Sequence, residues 1–332
     1  MAGSTEGSTM RKRMQGWPDT PFPPKRVHKV GERLLCESVD GALCWLDGTS
    51  LEVVGEPTQP FPGRITHAFV EDDGGAPRYI GLWVERELRA ARMASLDLQE
   101  PLTAGVERHE LRASEQEEPG EMQVAGALWS HPLEAEPLGL VSHGERIAFC
   151  MHRRGIYCIG FSSEEHWRVP LVSWPELAPV PDGSVVVCLV SAPAPDDADG
   201  VERLWAWSAG GGWSVHDWEN GALLDMGSLD LRERLESAWV SENGEWLLAS
   251  APERMARWNP GGEPESVHVT GPVNDALWID GGWSCAGWRE DLRWNERGLK
   301  RKQRPEIGMA LLDHEEGLML LDNIGGWSPF QF

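Results

Sequence analysis

A short pattern that returns along the chain constrains the fold more than any other feature of the sequence. Gly31-Glu32-Arg33-Leu34-Leu35-Cys36, continuing to Gly41-Ala42-Leu43-Cys44, returns as Gly144-Glu145-Arg146-Ile147-Ala148-Phe149-Cys150, continuing to Gly155-Ile156-Tyr157-Cys158, with one residue inserted. A third copy starts at Asp182-Gly183-Ser184 and runs into Val185-Val186-Val187-Cys188. Trp239 to Ala249 forms a fourth and Trp278 to Cys285 a fifth, while weaker copies surround His67–Met93 and Met309–Asn323. Repetition at this scale means that one small unit is used many times, and that no unit buries its apolar face alone.

The grammar of each copy is that of β-sheet. An apolar strand meets a turn carrying Asp-Gly, Asn-Gly or a substitute, and these dipeptides supply the positive φ angles of tight hairpins. A second apolar strand with a small residue follows, then a third, as in Leu43-Cys44-Trp45, Tyr157-Cys158-Ile159, Leu204-Trp205-Ala206-Trp207, Met255-Ala256-Arg257-Trp258 and Leu292-Arg293-Trp294. The turn glycines Gly31, Gly74, Gly144, Gly183, Gly244, Gly281 and Gly317 leave four of six intervals between 36 and 43 residues. That is close to the ~40–45 residues of a four-stranded propeller blade. The expectation is an all-β β-propeller of seven blades, with six as the alternative. Residues 1–25 are expected to form a flexible tail and residues 26–332 one propeller domain.

Two long intervals hold insertions, near 103–121 and 192–200. Neither has apolar periodicity, so both read as surface loops. Val84–Met93 reads as the third strand of the second blade with its flanking turn. Leu229–Glu236 reads as a short helix between blades four and five. The last copy has room for only two or three strands, so Arg26–Val30 or the segment near Trp17 is expected to complete it and close the ring.

The stretches Ser237 to Gly262 and Leu177 to Ser191 resemble WD40 and related bacterial β-propeller repeats. The resemblance covers most of residues 27–332. The Trp-Asp dipeptide is not kept, since Trp258 precedes Asn259 and Trp294 precedes Asn295, and the Gly-His pair is absent. Family binding residues therefore do not carry across. On this fold Cys36, Cys150, Cys188 and Cys285 are expected at one shared inner-strand position, where the fourth copy has Ala249. A free cysteine there acts as a small hydrophobe.

Composition narrows the function. The 332 residues carry 30 basic and 53 acidic side chains, a formal charge of −23. Such a chain repels phosphates, which argues against direct nucleic-acid binding. No apolar run approaches the ~18 residues of a membrane span, so membrane insertion is not expected. Polar, Pro-rich sequence follows Arg11-Lys12-Arg13, where a secretory signal needs an apolar stretch, so reduced thiols and a cytoplasmic location are expected. Richness in Arg over Lys, and in Ala, Gly, Pro and Trp, is associated with a GC-rich bacterial genome.

Catalytic patterns are sparse. The ten histidines show no paired metal spacing, no Cys-x-x-Cys or Gly-x-Ser-x-Gly occurs, and Gly210-Gly211-Gly212 lacks the Lys-Ser/Thr that grips phosphate. No cofactor is expected. Glu71-Asp72-Asp73 and Asp196-Asp197-Asp199 lack calcium-loop spacing and read as solvated loops. Lys300, Arg301, Lys302 and Arg304 are either a solvated connection or a docking patch for an acidic partner. Trp239, Trp246, Trp278 and Trp283 fall at matching strand positions and read as core. Trp167, Trp174, Trp213 and Trp218 border turns and Pro-containing loops, and either pack between blades or anchor a partner. The leading expectation is a non-catalytic scaffold or adaptor subunit of a larger cytoplasmic assembly, docking protein partners through face loops. A propeller hydrolase or lyase with an axial site, metal-dependent or not, and a carbohydrate-binding lectin are the alternatives.

Overall fold

The computed structural model describes residues 17–72, 75–194 and 200–332. Seven antiparallel sheets succeed one another along the chain. Blade one holds β1 (Pro24–Val30), β2 (Arg33–Ser38), β3 (Leu43–Asp47) and β4 (Val53–Thr58). Blade two holds β5 (Arg64–Glu71), β6 (Arg78–Glu85), β7 (Ala90–Asp97) and β8 (Ala127–Pro132), with helix α1 (Arg108–Glu117) inserted before β8. Blade three holds β9 (Pro137–His143), β10 (Arg146–Met151), β11 (Gly155–Gly160) and β12 (Glu165–Val169). Blade four holds β13 (Val186–Pro193), β14 (Glu202–Ser208), β15 (Gly212–His216) and β16 (Leu223–Ser228). Blade five holds β17 (Arg234–Val240), β18 (Trp246–Ala251), β19 (Arg254–Trp258) and β20 (Glu265–His268). Blade six holds β21 (Val273–Ile279), β22 (Gly282–Gly287), β23 (Glu290–Asn295) and β24 (Gly298–Gln303). Blade seven holds three strands among the described residues, β25 (Gly308–His314), β26 (Gly317–Asp322) and β27 (Trp327–Pro329).

The first strand of each blade touches the first strand of the next, and β25 returns to β1, so the first strands line the axis of a closed ring. Every one of these strands is bulged within its first three residues. The extra residues are Lys25, Thr66, Leu138, Val187, Glu236, Asn274 and Met309. A bulge bends its strand and re-aims the side chains beside it. Here the residue just past the bulge turns toward the following blade. Asp275 accepts a bond from the Leu311 amide at 2.8 Å, and Arg26 donates to the Thr66 carbonyl at 2.6 Å. Where a side chain does not fit, the backbone comes closer, and a Cβ on Gly139 would lie 3.1 Å from the Leu189 nitrogen.

Apolar clusters fill the wedges between blades. The largest indole cluster lies between blades four and five, where Trp205 packs on Trp246 with centroids 4.9 Å apart and planes inclined by 51°, and Trp207 meets Trp258 edge-on at 5.6 Å. Each such ring removes on the order of 200 Å² from water, roughly 5 kcal/mol of transfer free energy before entropy is counted. Trp246 and Trp283 are buried as expected, and Trp239 and Trp278 are half-buried beside the cluster between blades five and six.

Several expectations need correction. Gly183 does not join a first strand to a second. It precedes β13, and its partner turn is the connection from β13 to β14, so Cys188 lies on a first strand and Trp205 and Trp207 on a second. Gly74 falls outside the described residues. The cysteines do not share one position. Relative to the bulge, Cys36 and Cys285 are equivalent and pack toward the preceding blade, whereas Cys150 sits one step along and packs toward the following one. The single inserted residue in the repeat inverts the facing of that side chain, because strand side chains alternate.

Leu229–Glu236 is not helical. Its Leu231 and Leu235 are buried in the blade four–five cluster, and the amides of Leu229 and Leu235 bond the carbonyls of Gly211 and Ala209. The insertion at 103–121 is not a surface loop. It contains α1, whose Leu111 is fully buried with Phe61 and Trp83 in the wedge between blades one and two. Arg92, itself buried, binds Glu115 of α1 at 2.6 Å and the Met122 carbonyl at 2.8 Å. Of the second insertion, Ala192 and Pro193 extend β13, and residues 195–199 fall outside the described residues.

Closure also differs from expectation. Arg26–Val30 belongs to β1 and adds no strand to the sheet of blade seven. The segment near Trp17 covers the joint without forming a strand: Trp17 meets His314 edge-on at 5.4 Å, and the Thr20 amide bonds the Gly325 carbonyl at 2.9 Å. Beneath it Trp327, Leu312 and Met319 pack on Leu34, Cys36 and Leu46 across the blade seven–one joint. Trp327→Ala is therefore expected to cost about 3 kcal/mol and lower the melting temperature by several degrees. Thermal denaturation followed by circular dichroism checks this, and an unchanged midpoint contradicts closure through that cluster.

Candidate functional site

The most strongly perturbed ionisable groups lie where β1 meets β5. Glu37, on β2, is fully buried, and its carboxylate accepts from the Tyr79 hydroxyl at 3.0 Å, meets His28 Nε2 at 2.5 Å and lies 3.4 Å from Arg26. Burial alone raises its pKa, but Arg26, His28 and Lys25 together hold it down to about 2. Burial, reinforced by Arg26, lowers Lys25 to about 8, and its ammonium donates to the carbonyls of Ile65 and Thr66. Burial and the charges of Arg26 and Lys25 push His67 down to about 3. Perturbed groups mark candidate sites, but structural ion networks produce them too. Glu37 is enclosed on every side by its own chain, so it acts as a strut between blades one and two rather than as a base open to substrate.

A cleft of about 750 Å³ adjoins this cluster, lined by Lys25, Arg64, Thr66, Glu85 and Arg108 among others. Its facing charges are matched within the chain, with Arg108 bound to Glu85 at 2.9 Å and to Glu87 at 2.7 Å. No group of three or more His, Cys, Asp or Glu side chains able to hold a metal ion occurs among the described residues. Burial pushes the thiols of Cys150, Cys158 and Cys188 up to about 12, so they stay protonated at neutral pH.

The tryptophans singled out in the sequence are joined to one another inside the ring. The Trp167 indole N–H donates to the Trp218 carbonyl at 2.9 Å, and that of Trp174 to the Trp213 carbonyl at 3.2 Å. Trp174 is 1% exposed, Trp167 and Trp218 are buried, and Trp213 is half-buried against Trp205 and Trp258. These four pack blades three, four and five together and offer little surface.

A different tryptophan stands in solvent. Trp288, 43% exposed, occupies the turn between β22 and β23, and its Cβ presses on Gly271, where any side chain would displace it. Ile324, 53% exposed, occupies the corresponding turn of blade seven between β26 and β27. Both turns lie on the face that carries the seven bulges. The connection 304–307 ties them together: the Arg304 amide bonds the Arg289 carbonyl at 2.8 Å, and the Ile307 amide bonds Asn323 Oδ1 at 2.9 Å.

The basic residues singled out in the sequence adjoin this corner. Lys300, Arg301 and Lys302 lie on β24, the exposed outer strand of blade six. Arg304 follows it and bridges to blade seven, bonding Asp291 at 3.1 Å and Ser328 Oγ at 2.8 Å. The structure thus places the basic run on the same blade as Trp288 and next to blade seven, which carries Ile324, and separates it from Trp167, Trp174, Trp213 and Trp218. Sequence reasoning missed Trp288. The available signal was its place in the turn Gly287-Trp288-Arg289, where the matching turns of other blades carry polar or small residues such as Asp40, Arg153 and Gly210.

The sign of the pH effect at Glu37 is set by its lowered pKa. A carboxylate held near 2 in the folded chain, against 4.5 unfolded, contributes stability above about pH 4.5 that is lost as the pH falls toward 2. Glu37→Gln is expected to lower stability at pH 7 by on the order of 3 kcal/mol and to flatten the melting curve against pH below 4.5. Melting temperatures of both proteins from pH 2 to 7 check this; coincident curves contradict the role given to Glu37.

No family model matches the sequence. No curated protein is similar to it at a significant level. The structure is similar to the crystal structure of the Cps50 (Swd1) β-propeller domain of Myceliophteria thermophila, with a TM-score of 0.63 and 13% identity over 94% of this chain and 98% of that one. It is also similar to the crystal structure of BamB from Moraxella catarrhalis, with a TM-score of 0.52 and 11% identity over 93% of this chain and 83% of that one. At these identities the likeness is one of architecture: the chain has a seven-bladed, WD40-like β-propeller fold.

Proposed function

We propose that this propeller is a protein-interaction module, a scaffold or adaptor subunit that docks a partner at the corner where blades six and seven meet. One observation carries the reading. Trp288 is the one tryptophan among the described residues that stands exposed, and it shares a face with exposed Ile324 beside a basic strand in a chain of charge −23. Aromatic anchors in a charged setting are the usual energetic centre of protein interfaces, and a local basic patch on an acidic body favours an acidic partner. The similar propeller folds make protein binding a natural use of the architecture, but fold alone does not fix a function. A cytoplasmic assembly belongs to the same proposal, supported by six unbridged cysteines, five of them buried.

Affinity capture from the native host tests the reading. Trp288→Ala with Ile324→Ser is expected to reduce recovery of specifically bound proteins about thirtyfold, the loss of one interface hot spot of ~2 kcal/mol, without moving the melting temperature. Equal recovery by the variant and the parent protein contradicts docking at this corner.

A further inference from the structure

The outer strand of blade six differs in charge from the other outer strands. β24 carries Lys300, Arg301 and Lys302 and no acid. By contrast β4 carries Glu56, β16 Asp225 and β20 Glu265, β12 sets Glu165 against Arg168, and β8 has no Lys, Arg, Asp or Glu. Lysines on an open edge ordinarily serve to keep other strands away. Here they are also poorly provided for. Lys300 stands directly opposite Arg293 in the ladder, a like-charge pair that costs stability. The Arg293 guanidinium is held by neutral groups, Ser284 Oγ and the carbonyls of Ile279 and Asp280. Lys300 has no carboxylate partner among the described residues. Lys302 faces Asp291, but Arg304 already binds that carboxylate.

The edge of β24 is also free for pairing. It ends the sheet order of blade six. Asn295 and Gly298 flank a two-residue turn and form the closing pair of the β23–β24 hairpin. Hydrogen-bonded and non-bonded pairs alternate from there, so Leu299, Arg301 and Gln303 turn their backbone amides and carbonyls outward. Lys300 and Lys302, two residues apart, share one face of the strand, whereas Arg301 lies on the other and approaches Glu290 at 3.5 Å. The Lys300–Lys302 face is the one on the blade seven side, where Lys302 Nζ reaches toward the Gln331 carbonyl at 3.5 Å. Blade seven on that side carries exposed Ile324, whereas Trp288, in the β22–β23 turn of blade six, rests on Gly271 of the connection from blade five.

We propose that β24 receives an extended acidic segment of a partner protein, added to blade six as a fifth strand, an inference that rests on docking at the blade six–seven corner and specifies its partner. Backbone bonds to residues 299, 301 and 303 hold the segment. Carboxylates at alternate positions, two residues apart, meet Lys300 and Lys302 and relieve their repulsion with Arg293. Main-chain pairing supplies affinity in such strand addition, and alternate side chains supply selectivity.

The test uses the full chain and labelled peptides of alternating glutamate and valine, the same peptide with alternate backbone amides N-methylated, and a lysine–valine counterpart. Fluorescence anisotropy at low ionic strength is expected to show binding of the glutamate peptide only. N-methylation should weaken it at least tenfold, and so should Lys300→Glu with Lys302→Glu. Hydrogen exchange should slow at residues 299, 301 and 303. Lys300→Ala with Lys302→Ala, expected to weaken binding with an unchanged melting temperature, guards against a folding defect. Equal binding of methylated and unmodified peptide, or no binding of either, overturns strand addition while leaving the corner intact if Trp288→Ala with Ile324→Ser still loses captured proteins. Capture indifferent to that variant overturns the corner itself.

Discussion

The ring depends on a constraint that acts seven times, at the start of each axial strand. Seven twisted sheets arranged about an axis must approach most closely at their first strands, where there is least room for side chains. The chain meets this with a bulge in every first strand, at Lys25, Thr66, Leu138, Val187, Glu236, Asn274 and Met309. Each bulge increases local twist and sends the following residue toward the next blade. Polar residues there complete the backbone of a neighbour, as Asp275 does for Leu311, and glycine at 139 lets two backbones meet. A buried amide left without a partner costs about 1–3 kcal/mol. These hand-offs therefore align the blades as well as filling space, and they explain how blade seven holds its place with three strands, none of them shared with blade one, among the described residues.

The repeat was legible in the sequence because turn glycines and apolar triplets are local signals. Blade number, all-β class, and the first-to-second-strand turns at Gly31, Gly144, Gly244, Gly281 and Gly317 all follow from them. What failed was whatever required knowing which of two similar turns a signal belonged to. Asp182-Gly183 is a true turn, with Asp182 at a φ of 55°, but it precedes the first strand of its blade. The bulges were invisible for a related reason, since an extra residue in a strand of Val, Leu or Thr leaves no compositional mark. The register of Cys150 against Cys36 was lost with them. Helix α1 escaped notice because it buries only Leu111 and so has no apolar stripe. Its ends hold it instead, through the Glu107–Glu110 capping box and the Arg92–Glu115 bond.

The candidate site was half legible. Lys300, Arg301, Lys302 and Arg304 stand out in any acidic chain, and the structure keeps three of them on an open strand. The tryptophans could not be sorted by type alone, because an indole serves equally well between blades or between proteins. Position decides. Trp167, Trp174 and Trp218 border loops in sequence, yet those loops fold back over a blade interface and bury the rings. Trp288 sits where the chain must reverse between two paired strands, and a turn of that length cannot fold back over its own side chain.

The two electrostatic scales of the molecule act in opposite directions on the partner proposed for this corner. At distances beyond a Debye length of about 8 Å at physiological ionic strength, an acidic segment meets a screened body of charge −23 and is not drawn in. Within that length it meets Lys300 and Lys302 on a strand that carries no acid. Under the proposed docking the net charge would slow encounter, the strand would slow departure, and discrimination would fall on the bound state. An acidic segment unable to extend along β24 feels the repulsion without the compensating backbone bonds. A surface that works as proposed would reject most anions and retain the few that fit its pleat, which is how a short basic strand can serve selection better than a broadly basic face.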